Sequence, residues 1–152
     1  MRPLPPPAGS GAAAGVSAAR RRAALAWAAT IAYMAVLFWL SSRPGGTVSR
    51  WNFLKLPDYV LHGAAYMGLG AVAHLAFAVS FRWPFWKRAA AALLLSAVYG
   101  VGDEFHQAFV PGRDPSWQDA AADAAGAALA QGLWWGRQAR DRKRLHPTRI
   151  SE

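Results

Sequence analysis

The stretch AAAALLLSAVYGVGDEFHQAFV, residues 89–110, has polar side chains at one end of an otherwise apolar run. Its first fourteen residues are uncharged and correspond to about 21 Å of helix at 1.5 Å per residue. Because the hydrocarbon core of a bilayer is about 30 Å thick, this uncharged part is too short to cross it. A membrane-spanning helix must include the whole stretch, and it then carries Asp103, Glu104 and His106 into the membrane.

The composition of the chain favours a membrane protein. The 152 residues include 54% hydrophobic and 16% charged residues, with a net charge of +9. Soluble domains average about 25% charged residues and disordered chains have low hydrophobicity, so neither class fits. The length corresponds to a single domain. The sequence has no cysteine, which excludes disulfides, thiolate zinc sites and thiol catalysis.

Three further stretches reach the length of a membrane span. Residues 23–40 and 59–81 contain no Asp, Glu, Lys or Arg and are long enough to cross the core. The first follows an arginine cluster, as a signal peptide does, but its length and the missing small-residue cleavage site favour a retained anchor. Residues 119–136 reach spanning length only with Asp119 and Asp123 included. The sequence therefore predicts an all-α membrane protein with four transmembrane helices.

The distribution of basic residues predicts the orientation of these helices. Four spans place both termini on one side, which carries 13 of the 17 Lys and Arg residues. The positive-inside rule then predicts a plasma-membrane protein with both termini in the cytoplasm. A three-span alternative without the last helix would put the basic C-terminal segment outside.

The remaining segments divide the chain into three parts and one long loop. We expect residues 1–22 to form a disordered cytoplasmic tail, 23–136 a membrane domain and 137–152 a basic cytoplasmic tail. Residues 41–57 contain two prolines and two adjacent glycines, so a loop is expected there.

Polar side chains from three predicted spans lie near the same, outward end of the bundle. Residues spaced by three or four lie on one face of a helix, which groups the polar residues within each span. Ionisable residues in a bilayer cost roughly 2.5–3.5 kcal/mol each, so they usually pair inside the bundle and mark a functional site. The candidate site residues are Asp58, His62, Tyr66, Asp103, Glu104, His106, Gln107, Arg113, Asp119 and Asp123.

Some of these residues also have a structural interpretation. Asp58 follows a proline and suits a helix N-cap. Ser116 and Asp119 match a capping box at the start of the last span. Arg113 lies in the preceding loop, where its guanidinium suits either a carboxylate of the cluster or an anionic ligand.

Other features of the spans favour packing over a site. The polar cluster as a whole also suits hydrogen bonding between helices, which small residues in Ala122-x-x-x-Gly126 and Gly132-x-x-x-Gly136 would assist by allowing close approach. His74 has no acidic partner in the sequence pattern and is expected to be structural.

The polar pattern resembles the VanZ-like family of membrane proteins over about residues 25–136. The matching residues are Pro57-Asp58-x-x-x-His62-x-x-x-Tyr66, Asp103-Glu104-x-His106-Gln107-x-Phe109-x-Pro111-Gly112-Arg113 and Ser116-x-x-Asp119-x-x-x-Asp123-x-x-Gly126. Tyr59 and Asp123 depart from the family pattern, in which many members have Lys and Asn. The resemblance implies a small multi-pass protein of the bacterial cell envelope. The family takes its name from a member linked to resistance to the glycopeptide teicoplanin.

Three functions are compatible with the sequence. The first is a non-enzymatic protein, without cofactor or resident metal, whose outward polar site binds an envelope lipid, a cell-wall intermediate or a glycopeptide. The second is an intramembrane hydrolase of lipid phosphates that uses a metal held by Asp, Glu and His, although the spacing matches no established metal motif. The third is an ion or proton carrier, which would require an oligomer.

The expected partners are membrane lipids, and a homo-oligomer is left open. A pI of 11.1 taken alone would suggest nucleic acid. The basic residues, however, lie mainly on the predicted cytoplasmic side, where anionic lipid headgroups attract them. We therefore expect no nucleic-acid partner.

Overall fold

The computed structural model describes residues 10–145, and this part of the chain consists of five α-helices and their connections without a β-strand. The helices are α1 Ser10–Ser41, α2 Gly45–Trp51, α3 Asp58–Ser80, α4 Phe85–Gln107 and α5 Trp117–Leu145. The all-helical fold class predicted from the sequence is confirmed.

Two helical segments, Gly15–Ser41 and Asp58–Ser80, are long and apolar enough to cross a membrane by length and composition. The other two predicted spans correspond to α4 and α5, which have 23 and 29 residues. At 1.5 Å per residue these helices are about 35 and 44 Å long, which exceeds the thickness of a bilayer core. Among the described residues, however, only Gly15–Ser41 and Asp58–Ser80 combine this length with a sufficiently apolar composition. Four transmembrane helices with cytoplasmic termini therefore stay a prediction.

The first helix begins earlier than expected. It starts at Ser10, so residues 10–22 are helical where the sequence favoured a disordered tail. Alanine and arginine are strong helix formers, and they occupy all of residues 18–24, which lets the apolar helix continue into this segment. Residues 1–9 of the predicted tail lie outside the described residues, as do residues 146–152 of the C-terminal tail.

The expected loop over residues 41–57 contains the short helix α2. Pro44 precedes the first helical residue, and its carbonyl accepts hydrogen bonds from the amides of Thr47 and Val48. The proline ring fixes φ near the helical value and the residue needs no amide partner at this position, so Pro44 starts the helix instead of breaking it. The prediction of an uninterrupted loop is wrong for this reason.

Helix α3 is the centre of the bundle, and it packs against α1, α4 and α5, most extensively against α5. The α3–α5 contact depends on a missing side chain, because a Cβ at Gly126 would overlap the carbonyl oxygen of Gly63. The predicted packing role of Gly126 agrees with this contact. A Cβ at Gly132 would meet no other atom of residues 10–145 within 4 Å, so the Gly132–Gly136 pair does not mediate close packing in this part of the chain.

The bundle is polar inside and apolar outside along α4. Leu94 and Phe105 are 66% and 71% exposed, and Val98 and Val101 between them are exposed as well. The opposite face buries Ser96, Asp103, Glu104 and Gln107, and Asp103 is only 7% exposed. This distribution is the reverse of that in a water-soluble helix, whose polar face is directed to solvent.

The loop between α4 and α5 is attached to the beginning of α2. The amide of Gly45 donates to the carbonyl of Pro111 at 3.3 Å, and Gly112 has a φ of +73°, in the left-handed region that glycine tolerates. This contact holds Pro111 and Gly112 beside the start of α2, and the next residue, Arg113, lines the same cavity as residues of α2 and α3. The candidate site lies next to this loop.

We predict that Gly126→Ala destabilises the bundle, whereas Gly132→Ala does not. The new methyl group at residue 126 would overlap the backbone of α3, and overpacking of this kind costs about 1–3 kcal/mol. At residue 132 the space is open, and replacing a helical glycine with alanine gains about 0.5–1 kcal/mol. Thermal unfolding of the purified variants in detergent measures both effects. An equal decrease in the unfolding temperature of the two variants would contradict the α3–α5 packing.

Candidate functional site

Three helices bring a histidine and two carboxylates together. His62 on α3, Glu104 on α4 and Asp123 on α5 form what we call the acid–histidine cluster. The Nδ1 atom of His62 lies 3.1 Å from Oδ1 of Asp123 and 3.6 Å from Oε1 of Glu104. One ligand atom from each residue lies within 4.8 Å of the other two, and both carboxylates are buried. The sequence placed these residues at one end of the bundle, and the structure brings them into direct contact.

Glu104 also fixes the start of α5. Its Oε2 atom accepts a hydrogen bond of 2.8 Å from the amide of Ser116, which precedes the helix. The Ser116 hydroxyl accepts from the amide of Asp119 and donates to its carboxylate, both at 3.1 Å. Ser116 therefore caps α5 as predicted. In a complete capping box the Asp119 carboxylate would accept a hydrogen bond from the Ser116 amide, but here Glu104 accepts it.

A second buried pair lies one helical turn apart on α4. The side-chain amide of Gln107 donates to Oδ2 of Asp103 at 3.0 Å. This bond orients Asp103, whose other oxygen, Oδ1, has no hydrogen-bond partner among the described residues.

Tyr66 lies on α3 one turn beyond His62. Its ring is nearly parallel to the imidazole, at 6° between planes and 6.4 Å between centroids. The hydroxyl is buried without a hydrogen-bond partner in residues 10–145. Buried tyrosine hydroxyls normally find a partner, so this group is a candidate for contact with a ligand.

A cavity of about 300 Å³ lies beside the cluster, between α1, α2, α3 and α4. Its apolar wall includes Leu37, Leu40, Val48, Trp51 and Leu61. Its polar wall is formed by Ser41, Asn52, Asp58, His62, Tyr66, Asp103, Gln107 and Arg113. The cavity thus combines an apolar surface with six of the ten candidate residues.

Two candidates at the cavity differ from their predicted structural roles. Pro57, not Asp58, occupies the N-cap position of α3, and no side chain caps this helix, so the N-cap interpretation of Asp58 is wrong. Within residues 10–145 Arg113 forms no ion pair, and its buried Nε atom has no hydrogen-bond partner. The carboxylate clamp suggested for Arg113 is absent in this part of the chain, and Arg113 lines the cavity.

His106 lies apart from the acid–histidine cluster. Its Nε2 atom is 3.1 Å from the Ser42 hydroxyl, and its ring is 4.5 Å from that of Phe38. Although His106 is close to Asp103 and Gln107 in sequence, it is directed to α1. The sequence grouped these three residues on one face, and the structure separates His106 from the other two.

The part of the cavity wall that α2 forms was missed in the sequence, because residues 41–57 were expected to form a loop. Val48 and Trp51 are three residues apart, which is the spacing of a helical apolar face, and this was the available signal. The Nδ1 atom of His74 lies 2.7 Å from Oε1 of Gln131, and its ring stacks on Trp134. These contacts agree with the structural role expected for His74.

A family model described as VanZ/LLP1 matches residues 26–138, well over half of the chain. This match confirms the resemblance seen in the polar pattern, and the chain belongs to the VanZ/LLP1 family. No curated protein and no solved structure gave a significant match.

We predict energetic coupling between His62 and Asp123 in a double-mutant cycle. Replacing either residue by alanine removes the same contact, so the two losses of unfolding free energy should be less than additive, by about 0.5–2 kcal/mol. His106→Ala combined with Asp123→Ala is the matched control and should be additive, since His106 contacts α1. Unfolding of the purified proteins in detergent and increasing denaturant measures both cycles. Additivity in the His62 cycle would contradict the contact.

Proposed function

We propose that this VanZ/LLP1-family protein crosses the bacterial plasma membrane four times and binds an amphiphile of the cell envelope in its outward-facing cavity. The bound molecule has a polar headgroup that meets Arg113 and the other polar residues of the cavity wall. Its chain lies along the apolar wall of the cavity. The observation that carries this proposal is the cavity itself, whose lining combines polar and apolar residues.

The exposed surface supports insertion of all four long helices in a bilayer. Leu94, Val98, Val101 and Phe105 form an apolar stripe along α4, and Leu129 and Leu133 are exposed on α5. Exposed apolar surface of this extent is costly in water but suits lipid contact. The buried carboxylates on the opposite faces agree with the tendency of intramembrane charges to face the bundle interior.

The distribution of charge supports the orientation. The connection between α3 and α4 contains Arg82, and the C-terminal part of α5 is rich in arginine, whereas the cluster lies at the opposite ends of these helices. With the basic ends in the cytoplasm, as the positive-inside rule requires, the cavity opens toward the outer leaflet. Envelope lipids, cell-wall intermediates and lipid-tailed glycopeptides are present on that side.

The headgroup is expected to be polar or anionic, because Arg113 is the basic residue in the cavity wall. A guanidinium binds phosphate and carboxylate groups through paired hydrogen bonds. Binding of a glycopeptide at this site would provide a route to antibiotic resistance, as the name of the family suggests for one of its members.

A second candidate function is an intramembrane hydrolase of lipid phosphates. The close approach of imidazole and carboxylate ligands in the acid–histidine cluster favours it, because such a set can hold a metal that activates water. Release of inorganic phosphate from a lipid phosphate by the purified protein would favour this hydrolase over the binding protein.

We predict opposite labelling of two exposed loop positions. The chain has no native cysteine, so Asp114→Cys and Arg82→Cys each introduce a single thiol. Both positions are exposed and belong to different ends of the bundle. An impermeant maleimide should label only the residue 114 variant in intact cells and both variants after lysis. The reverse pattern would place the cavity in the cytoplasm.

We predict that Arg113→Ala weakens the binding of anionic amphiphiles by about tenfold, equivalent to about 1.4 kcal/mol. Calorimetric titration of the detergent-solubilised protein with teicoplanin and with short-chain phosphatidic acid measures this loss. Short-chain phosphatidylcholine should bind more weakly, because its headgroup has no net charge.

Arg43→Ala is the matched control for this titration. Arg43 also lies at the cavity end of the bundle, but its guanidinium packs 4.5 Å from the Trp39 ring and does not line the cavity. Its removal should leave the affinity unchanged. Failure of every probe to bind, or equal affinity of the Arg113 variant and the native protein, would contradict the proposal.

A further inference from the structure

We infer that His62, Glu104 and Asp123 bind a divalent cation, Mn²⁺ or Zn²⁺, beside the cavity, whose wall includes His62. The inference deepens the proposed function and rests on it for one consequence only, namely that the cation selects an amphiphile with an anionic, phosphate-bearing headgroup. A metal held by Asp, Glu and His was one interpretation of the sequence, but the spacing did not show which residues would hold it, because the three residues belong to three different helices.

The distances between the ligand atoms agree with a metal site. Ligands that bind at about 2.0–2.2 Å in tetrahedral geometry are separated from one another by roughly 3.3–3.6 Å. His62 Nδ1 is 3.1 Å from Asp123 and 3.6 Å from Glu104, close to these values, and the two carboxylate oxygens lie within 4.8 Å of each other, so the side chains must approach one another to bind a cation.

Buried oxygens without partners provide an independent indication of a ligand. Asp123 is fully buried, yet its Oδ2 atom has no hydrogen-bond partner among the described residues. Glu104 Oε1 and the hydroxyl of Tyr66, which is 1% exposed, are in the same situation. An unpaired buried polar group costs about 1–3 kcal/mol, and more when it is charged, so several such atoms in one cluster require a partner.

The charge of the cluster favours a cation as that partner. Asp103 interacts electrostatically with Asp123, so the two carboxylates of the cluster have a third buried carboxylate beside them. A protonated imidazole neutralises only one of them, and Arg113 forms no ion pair in the part of the chain that the structure describes. A divalent cation would reduce the remaining repulsion in a region of low dielectric constant.

The ligand types narrow the choice of cation. Imidazole suits Zn²⁺ and other transition metals, while carboxylates suit Mn²⁺ and Zn²⁺ alike. The Ser116 amide that binds Glu104 Oε2 acts as an outer-shell contact, since it holds this carboxylate in place while leaving Oε1 free. Three protein ligands leave at least one coordination position for water or for a phosphate oxygen of the amphiphile.

Cation binding by the full-length protein in detergent, without added amphiphile, tests the inference. Chelator-treated protein is titrated with MnCl₂ and with ZnCl₂ by calorimetry, and bound Mn²⁺ is also counted by electron paramagnetic resonance. We expect one cation per chain. Asp123→Asn and Glu104→Gln keep the side-chain shape, remove one anionic ligand each and should weaken affinity by more than about tenfold.

The matched control is His74→Gln, which changes a buried histidine with a neutral partner outside the cluster and should leave affinity unchanged. Circular dichroism establishes that each variant is helical, and Glu104→Gln decides the test if Asp123→Asn does not fold. Failure of both cations to bind the native protein overturns the inference, as does undiminished binding in the folded cluster variants or an equal loss in His74→Gln.

The cation titration and the amphiphile titration, the latter repeated with a chelator, together separate the metal site from the proposed function. Cation binding without amphiphile binding would support the metal site and contradict the binding function. Amphiphile binding that is unchanged by a chelator, together with no cation binding, would leave the binding function standing and overturn the metal site.

Discussion

The close contact between α3 and α5 at Gly63 and Gly126 determines the geometry of the site. Two helices whose backbones touch can exchange contacts between short side chains, and here this distance lets His62 reach Asp123. A larger residue at position 126 would separate the helices and leave two polar groups unpaired in the interior. The site and the packing of the bundle therefore depend on the same glycine contact.

Helix α4 has its polar residues inside the bundle and its large apolar residues on the outside. Its buried face carries Asp103, Glu104 and Gln107, and its outward face carries large apolar side chains. Each of these buried polar residues has one hydrogen-bonded oxygen or nitrogen, either within α4 or to the start of α5. Gln107 orients Asp103, and Glu104 anchors the start of α5 through Ser116, so the polar interior organises the bundle as well as the cavity.

Much of the fold was predictable because helices impose a strict period on the sequence. The lengths of the apolar runs predicted α3 and the greater part of α1. The apolar runs of α4 and α5 are too short to cross a bilayer, so the sequence predicted that these helices extend into acidic residues. The Ser116 cap was predictable because it depends on residues three apart. Helix α2 was missed because it is short and Pro44 can either break or begin a helix. The sequence grouped His106 with Asp103 and Gln107 because the helical period puts the three residues on one face. The period does not show what each side chain contacts, and His106 contacts Ser42 and Phe38.

The sequence by itself determined that the chain is helical, that it belongs to the VanZ/LLP1 family and that its polar residues gather at one end of the helices. These properties depend on composition, motif spacing and the 3.6-residue period, all of which are local. Only the tertiary structure decided which candidates meet. It brought His62, Glu104 and Asp123 within ligand distance, directed Arg113 to a cavity instead of a carboxylate, and turned His106 to another helix. The physical reason is that contacts between helices depend on their rotation and crossing, and close packing at a few small residues fixes both.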